Sequence, residues 1–271
     1  MLRKLLKYEF RSTGRTYGLI YLVTVLLAVA TGLLSHLESL SNIIDLIFNL
    51  TSAGFTIMVF VIFVVTVVLN LTRYGRGLYG DEGYLMHTLP VSPWQLIASK
   101  LITSIVWTIA TLAVALVSLL VMILGSELFR PGFWEGVGRF FQALMQIHLS
   151  ASDWNTIGLL AMFCLLWLLF LAGALLQIYL CIGLGHLTSR HHAAWSVLFY
   201  FGINVAMSWF QTFLADMSGN AAGLGTMVAG LGENSMLTYG LLARACLFEI
   251  LWAAVYWAGT QLLLTKKLNL N

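Results

Sequence analysis

Charge is scarce in this chain. Aspartate, glutamate, lysine and arginine together make up 9% of its 271 residues, where a soluble domain carries about a quarter. That scarcity excludes an ordinary soluble domain. Cysteine is scarce too. Cys164, Cys181 and Cys246 have no metal-ligand spacing and imply no disulfide framework. Two motifs are absent. Without G-x-x-x-x-G-K-[ST] the chain has no phosphate-binding loop, and without H-E-x-x-H it has no zinc-protease helix. Internal repeats and low-complexity linkers are missing as well, which predicts a single membrane domain over residues 1–271.

What fills the chain instead is apolar sequence, 60% of the residues. Five runs carry no charge: Thr16–Ser35, Leu46–Thr72, Leu101–Ser126, Trp154–Gly185 and Ala193–Ala215. A sixth, within Ser235–Thr265, is interrupted by Arg244 and Glu249. Runs of about 18 or more apolar residues read as membrane-spanning helices, because a helix satisfies its own backbone where water is absent. They are continuous, not alternating, which favours helices over a β-barrel. The first run starts too late, and too much membrane sequence follows it, for a cleaved signal peptide.

Basic residues set the expected orientation. Arg3, Lys4, Lys7, Arg11, Arg15, Arg73, Arg76, Lys100, Arg190, Lys266 and Lys267 all fall on one side of a six-span arrangement, against Glu9, Asp81 and Glu82. The other side has Arg130 and Arg139, joined by Arg244 if it lies outside the last span. Against them stand Glu38, Asp45, Glu127, Glu135, Asp153, Asp216 and Glu233. Both termini are therefore expected in the cytoplasm. The net charge of +3 is a topology signal and not a nucleic-acid footprint.

The first dozen residues, MLRKLLKYEFRS, predict an amphipathic helix in the headgroup region. Leu2, Leu5, Leu6 and Phe10 share one face, and Arg3, Lys4, Lys7 and Arg11 the other. Glu9 projects into the apolar arc, where a carboxylate needs water or a cation unless the helix is rotated or frayed. Arg73 and Arg76, at the end of the second span, are the natural partners. Between the second and third spans, Arg73–Pro93 is polar and rich in turn residues. Asp81 and Glu82 suit the first turn of a short helix, and Leu89-Pro90 ends it. Ser92, Pro93 and Gln95 then form an N-cap, a first helical residue and a capping-box partner for the third span.

Outside the cytoplasm, Glu127–Asp153 is dense in aromatics that suit an interface. The stretch Asn220–Leu231 is too short to span and, with Ser235–Ala243, predicts two short outer helical pieces before the last span. His186, His191 and His192 fit a solvated loop better than a metal or pH-sensing site. Arg244 and Glu249 are the charges closest to the membrane interior, and intramembrane charge points to function. The reading favoured here starts the span near Ala245, with Arg244 at the outer headgroups and Glu249 less than two turns in. Gln177, Asn204, Gln211 and Gln261 fit helix-to-helix hydrogen bonds. No clustered Ser/His, Asp/Asp or Glu/His pattern within the spans supports an intramembrane enzyme.

At residues 80–101, GDEGYLMHTLPVSPWQLIASKL, the chain resembles the permeases of ATP-binding-cassette transporters of the ABC-2, type-2 exporter class. The N-terminal K-Y-E-F-R and the six spans resemble that class too. The resemblance implies an all-α integral membrane protein with an elbow helix before the first span. It also implies a cytoplasmic coupling helix that docks a separate ATPase through Asp81, Glu82, Tyr84, Leu85 and His87. It further implies a second permease copy or paralogue, with ATP and magnesium bound by the partner ATPase and no cofactor on this chain. The expected place is the bacterial cytoplasmic membrane, and the expected cargo a peptide, lipid or amphipathic drug. Rival readings are an energy-independent secondary transporter and a membrane sensor or scaffold. The outer loop at 126–153 is long for this class.

Overall fold

The computed structural model describes residues 2–35, 42–79, 92–127, 132–145, 151–188, 191–217 and 235–266. Regular structure among them is entirely helical. In chain order the helices are α1 (Leu2–Leu34), α2 (Asn42–Tyr79), α3 (Pro93–Glu127), α4 (Phe133–Met145), α5 (Ala151–Gly185), α6 (His192–Met217) and α7 (Ser235–Lys266). All but α4 are long and apolar enough to cross a bilayer, and they take up the six runs read from the sequence. This is a multi-pass membrane architecture.

The distribution of polarity on α1 shows the solvent it was built for. Its buried residues are Thr13, Tyr17, Thr24, Ala28, Thr31 and Gly32. Facing outward are Leu19, Leu22 and Leu26, which are 65%, 61% and 58% exposed, with Val29 and Leu33 in the same series. A helix in water has the reverse pattern. In lipid, small and weakly polar residues go inward, where helices approach closely. The buried threonines cost little, because Thr13, Thr24 and Thr31 donate to the carbonyls of Glu9, Ile20 and Leu27 in the preceding turn.

Two expectations change here. Residues 2–12 are helical and two-faced, with Arg3, Lys4, Lys7 and Arg11 exposed and Leu2, Leu5, Leu6, Glu9 and Phe10 half-buried. They are not a separate elbow, however, but the opening turns of the 33-residue α1. No proline interrupts the helix. Its length of about 50 Å exceeds a hydrocarbon core of about 30 Å, so one end stands beyond it. Likewise Ser235–Ala243 is not a separate piece. It forms the first turns of the 32-residue α7, which passes Arg244 without a break. Residues 218–234, and with them the expected outer piece at Asn220–Leu231, lie outside the described residues.

The chain forms two compact units. The first comprises Met1–Asn70 and Ile102–His148. Here α1 and α3 run parallel: Gly32 lies against Gly125, Tyr17 against Trp107, and Tyr21 against Thr111. Against α3, α2 runs antiparallel, with Thr66 bonded to Thr111 and Asn70 to Thr108. A polar network ties these helices together. Trp107 stacks on Tyr17 at 4.3 Å and donates Nε1–H to Thr13. The Thr111 hydroxyl lies 2.7 Å from that of Tyr21 and 2.8 Å from that of Thr66. This unit also holds α4, which starts after Gly132, a glycine at φ 90 that a side chain would strain.

The second unit comprises Leu71–Leu101 and Leu149–Asn271. Its centre is a parallel pairing of α5 with α7. Gly158 meets Tyr239, Gly173 meets Glu249, Leu180 meets Gly259 and Gly183 meets Leu263. The near-constant offset fixes their direction. The last turns of α2 run parallel to α5, Tyr74 lying on Tyr179 and Tyr79 on His186. Within each unit, odd and even spans therefore have the directions that six successive crossings require.

Candidate functional site

Residues 80–91, with Asp81, Glu82, Tyr84, Leu85 and His87, lie outside the described residues. Both of their anchors are described, and both belong to the second unit. The first anchor is the end of α2. There Tyr74 is buried and stacks face to face on Tyr179, with ring centroids 3.7 Å apart and planes within 2°. Tyr79, the last residue of α2, tilts against Tyr74 at 6.1 Å and stacks on His186 at 4.8 Å. His186 in turn stacks on His192 at 5.1 Å. The result is a column of rings, Tyr179–Tyr74–Tyr79–His186–His192, that starts fully buried and ends exposed.

Glycines make the column possible. A Cβ on Gly183 would stand 2.6 Å from the Tyr79 hydroxyl oxygen and 3.1 Å from Leu263. The hydroxyls of Tyr74 and Tyr79 approach each other closely enough to interact, but they fall short of full hydrogen-bond geometry, and neither has another partner among the described residues. His186 Nδ1 lies 2.9 Å from the Ile182 carbonyl. The carbonyl of His191, whose φ is 58, accepts from the Trp195 amide at the start of α6.

The second anchor is the start of α3. Its first turn closes with Gln95 N–H donating to the Ser92 carbonyl at 2.9 Å. Leu96, Ile97, Ala98, Ser99, Lys100 and Leu101 are all buried. Lys100 is a cation 8% exposed. Its Nζ would stand 2.9 Å from a Cβ on Gly77, so glycine leaves it room beside the last turns of α2. Helix C-termini carry partial negative charge on unpaired carbonyls, which favours a cation there. Residues 80–91 thus spring from two rigid, cross-braced helix ends.

Glu9 is half-buried on α1, and near the end of α2 Arg73 is half-buried and Arg76 exposed. Arg244 is exposed on α7. Glu249 is half-buried and faces α5, its Oε2 3.2 Å from where a Gly173 side chain would begin. His186 and His192 are exposed, as a solvated loop implies, but they also close the ring column. Among the described residues no three His, Cys, Asp or Glu gather as metal ligands. Sequence reading missed Tyr74, Tyr79 and Tyr179, because no periodicity within one helix announces rings that meet between helices.

No protein-family model, curated protein or solved structure matches this chain. The functional reading therefore rests on its own residues and geometry.

Proposed function

We propose that this chain is the membrane permease subunit of an ATP-driven exporter of the ABC-2 class. It works as one half of a homo- or heterodimer in the bacterial cytoplasmic membrane, with both termini in the cytoplasm. A separate ATPase binds ATP and magnesium and docks on residues 80–91. Peptides, lipids and amphipathic drug-like molecules are the cargo classes. The resemblance at residues 80–101 suggests the reading.

One geometric observation supports it above the rest. The helix ends that flank residues 80–91 belong to the second unit, yet α2 and α3 continue from there into the first. A push on residues 80–91 would therefore reach both units through two stiff helices. The ring column and buried Lys100 keep the helix ends from absorbing it locally. A segment that only linked two spans would need no such bracing.

A second reading, a gradient-driven transporter, draws on Glu249, since intramembrane carboxylates serve in ion coupling. Purification from native membrane separates the two: a nucleotide-binding subunit should come with the chain under the first reading only. The variant Asp81→Lys/Glu82→Lys should then lose that subunit and uncouple transport while inserting normally. If the subunit stays bound and transport is unchanged, docking at Asp81 and Glu82 is wrong.

A further inference from the structure

Glu249 is the carboxyl group least well accounted for by the architecture. It lies fourteen residues beyond Ser235, where α7 begins, and seventeen before Lys266, where it ends. At 1.5 Å per residue these are about 21 Å and 26 Å, which sets Glu249 well inside a hydrocarbon core. Among the described residues, no hydrogen bond or ion pair reaches Glu249. Arg244, five residues earlier, is exposed and about 140° away around the helix. A carboxyl at this depth stays neutral unless a cation beside it stabilises the anion.

Its surroundings indicate what could supply one. Glu249 does not point to lipid. It faces Gly173 in the α5–α7 seam, its Oε2 3.2 Å from where a Cβ at 173 would stand. One turn along α5 from Gly173, about 40° around, the Gln177 side-chain nitrogen is buried without a hydrogen-bond partner. Tyr256, two turns along α7, is buried and within electrostatic reach of Glu249 and Cys181. Trp252, one turn from Glu249, meets Phe210 at 5.8 Å, Phe248 at 5.9 Å and Tyr256 at 5.9 Å. Such rings attract cations with their faces. A hard metal ion wants six or more oxygens, and the neighbours named here offer far fewer.

We propose that the α5–α7 seam at Glu249 binds a lipophilic organic monocation, an ammonium or phosphonium on an apolar body. The Glu249 carboxylate is the counter-ion, Trp252 and its ring neighbours are the apolar wall, and Gln177 is a donor to any acceptor the ligand carries one helical turn away. The site goes beyond the transport reading, because binding to the chain alone needs no ATPase.

Equilibrium dialysis of tetraphenylphosphonium against the purified full chain in detergent tests it. Wild type should bind saturably. Glu249→Gln should bind at least about tenfold more weakly, as loss of one partner of a desolvated charge pair implies. Glu135→Gln, on exposed α4, should bind like wild type. Gly173→Ala keeps the carboxyl but displaces it, and should also weaken binding; it decides the matter if Glu249→Gln loses helicity. Absence of saturable binding in wild type, wild-type affinity in folded Glu249→Gln, or an equal loss in Glu135→Gln would overturn the assignment.

Discussion

Gly32 and Gly125 meet backbone to backbone where α1 crosses α3. A Cβ on Gly125 would stand 2.9 Å from the Gly32 Cα, and one on Gly32 would stand 2.8 Å from the Met122 carbonyl oxygen. Neither obstacle is a side chain that could turn aside. In lipid, close backbone approach through small residues is a main source of helix affinity. Gly32→Val and Gly125→Val should each lose about 1–3 kcal/mol, the usual cost of overpacking. Gly18 and Gly54, which have nothing within 4 Å, provide the contrast. Alanine there should be neutral or stabilising by up to about 1 kcal/mol through helix propensity. Thermal unfolding in detergent measures both sets, and equal losses at all four sites would contradict the crossing.

Thr111 anchors the polar network of the first unit. Fully buried, it touches the hydroxyls of Tyr21 and Thr66 and donates to its own Trp107 carbonyl. Thr111→Val keeps the shape and removes all of this. Hydrogen bonds between membrane helices contribute about 0.6 kcal/mol on average and up to about 1.7, so a loss of about 1 kcal/mol is expected. A double-mutant cycle with Tyr21→Phe should return a coupling of about 0.5 kcal/mol or more. Additive losses would mean that the pair does not interact.

The spans were legible in the sequence because lipid imposes so strict a rule: long stretches without charge. Inward faces were much less so. Thr13, Thr24, Thr31 and Thr111 read as unremarkable in a hydropathy profile, yet all are buried, since a threonine that bonds back to its own helix is nearly apolar. Helix ends were also misjudged. Charge in MLRKLLKYEFRS and Arg244 suggested breaks, but α1 and α7 run straight through both, because ions near a bilayer surface interrupt the apolar run and not the helix. Residues that meet across helices, such as Tyr74 with Tyr179 or Glu249 with Gly173, leave no trace in one sequence. Of the proposed site, the anchor at Ser92–Gln95 was readable from its capping residues, and the ring column was not.

The two orphan hydroxyls of the column lead to an expectation opposite to the usual one. A buried hydroxyl without a partner costs about 1–3 kcal/mol, and Tyr74 and Tyr79 each bury one. Tyr74→Phe and Tyr79→Phe keep the rings and should leave stability unchanged or raise it by about 1 kcal/mol. Tyr74→Leu gives up the stack on Tyr179 and should lose about 2 kcal/mol or more. Apparent Tm in detergent decides. A loss in Tyr74→Phe as large as in Tyr74→Leu would show that the hydroxyl, and not the ring, is what matters.

The parallel course of α5 and α7 can be tested chemically. Gly158 lies against Tyr239 near the start of each helix, and Leu180 against Gly259 some twenty residues further on, about 30 Å along the axis. With Cys164, Cys181 and Cys246 replaced by alanine, the pairs Gly158→Cys with Tyr239→Cys and Leu180→Cys with Gly259→Cys should each be joined by a short bifunctional thiol reagent. Crossed pairs, Gly158→Cys with Gly259→Cys and Leu180→Cys with Tyr239→Cys, should not, because some twenty residues, about 30 Å along the axis, separate them. An antiparallel course would reverse the pattern. The result bears on more than one seam. If α5 and α7 run the same way, α6 must return between them, and the chain crosses the membrane an odd number of times from the start of α5 to the end of α7. With three crossings before α5, six spans in all would bring the start of α1 and the end of α7 to the same side. Reversed pairing would break that count and with it the six-span arrangement on which the coupling proposal stands.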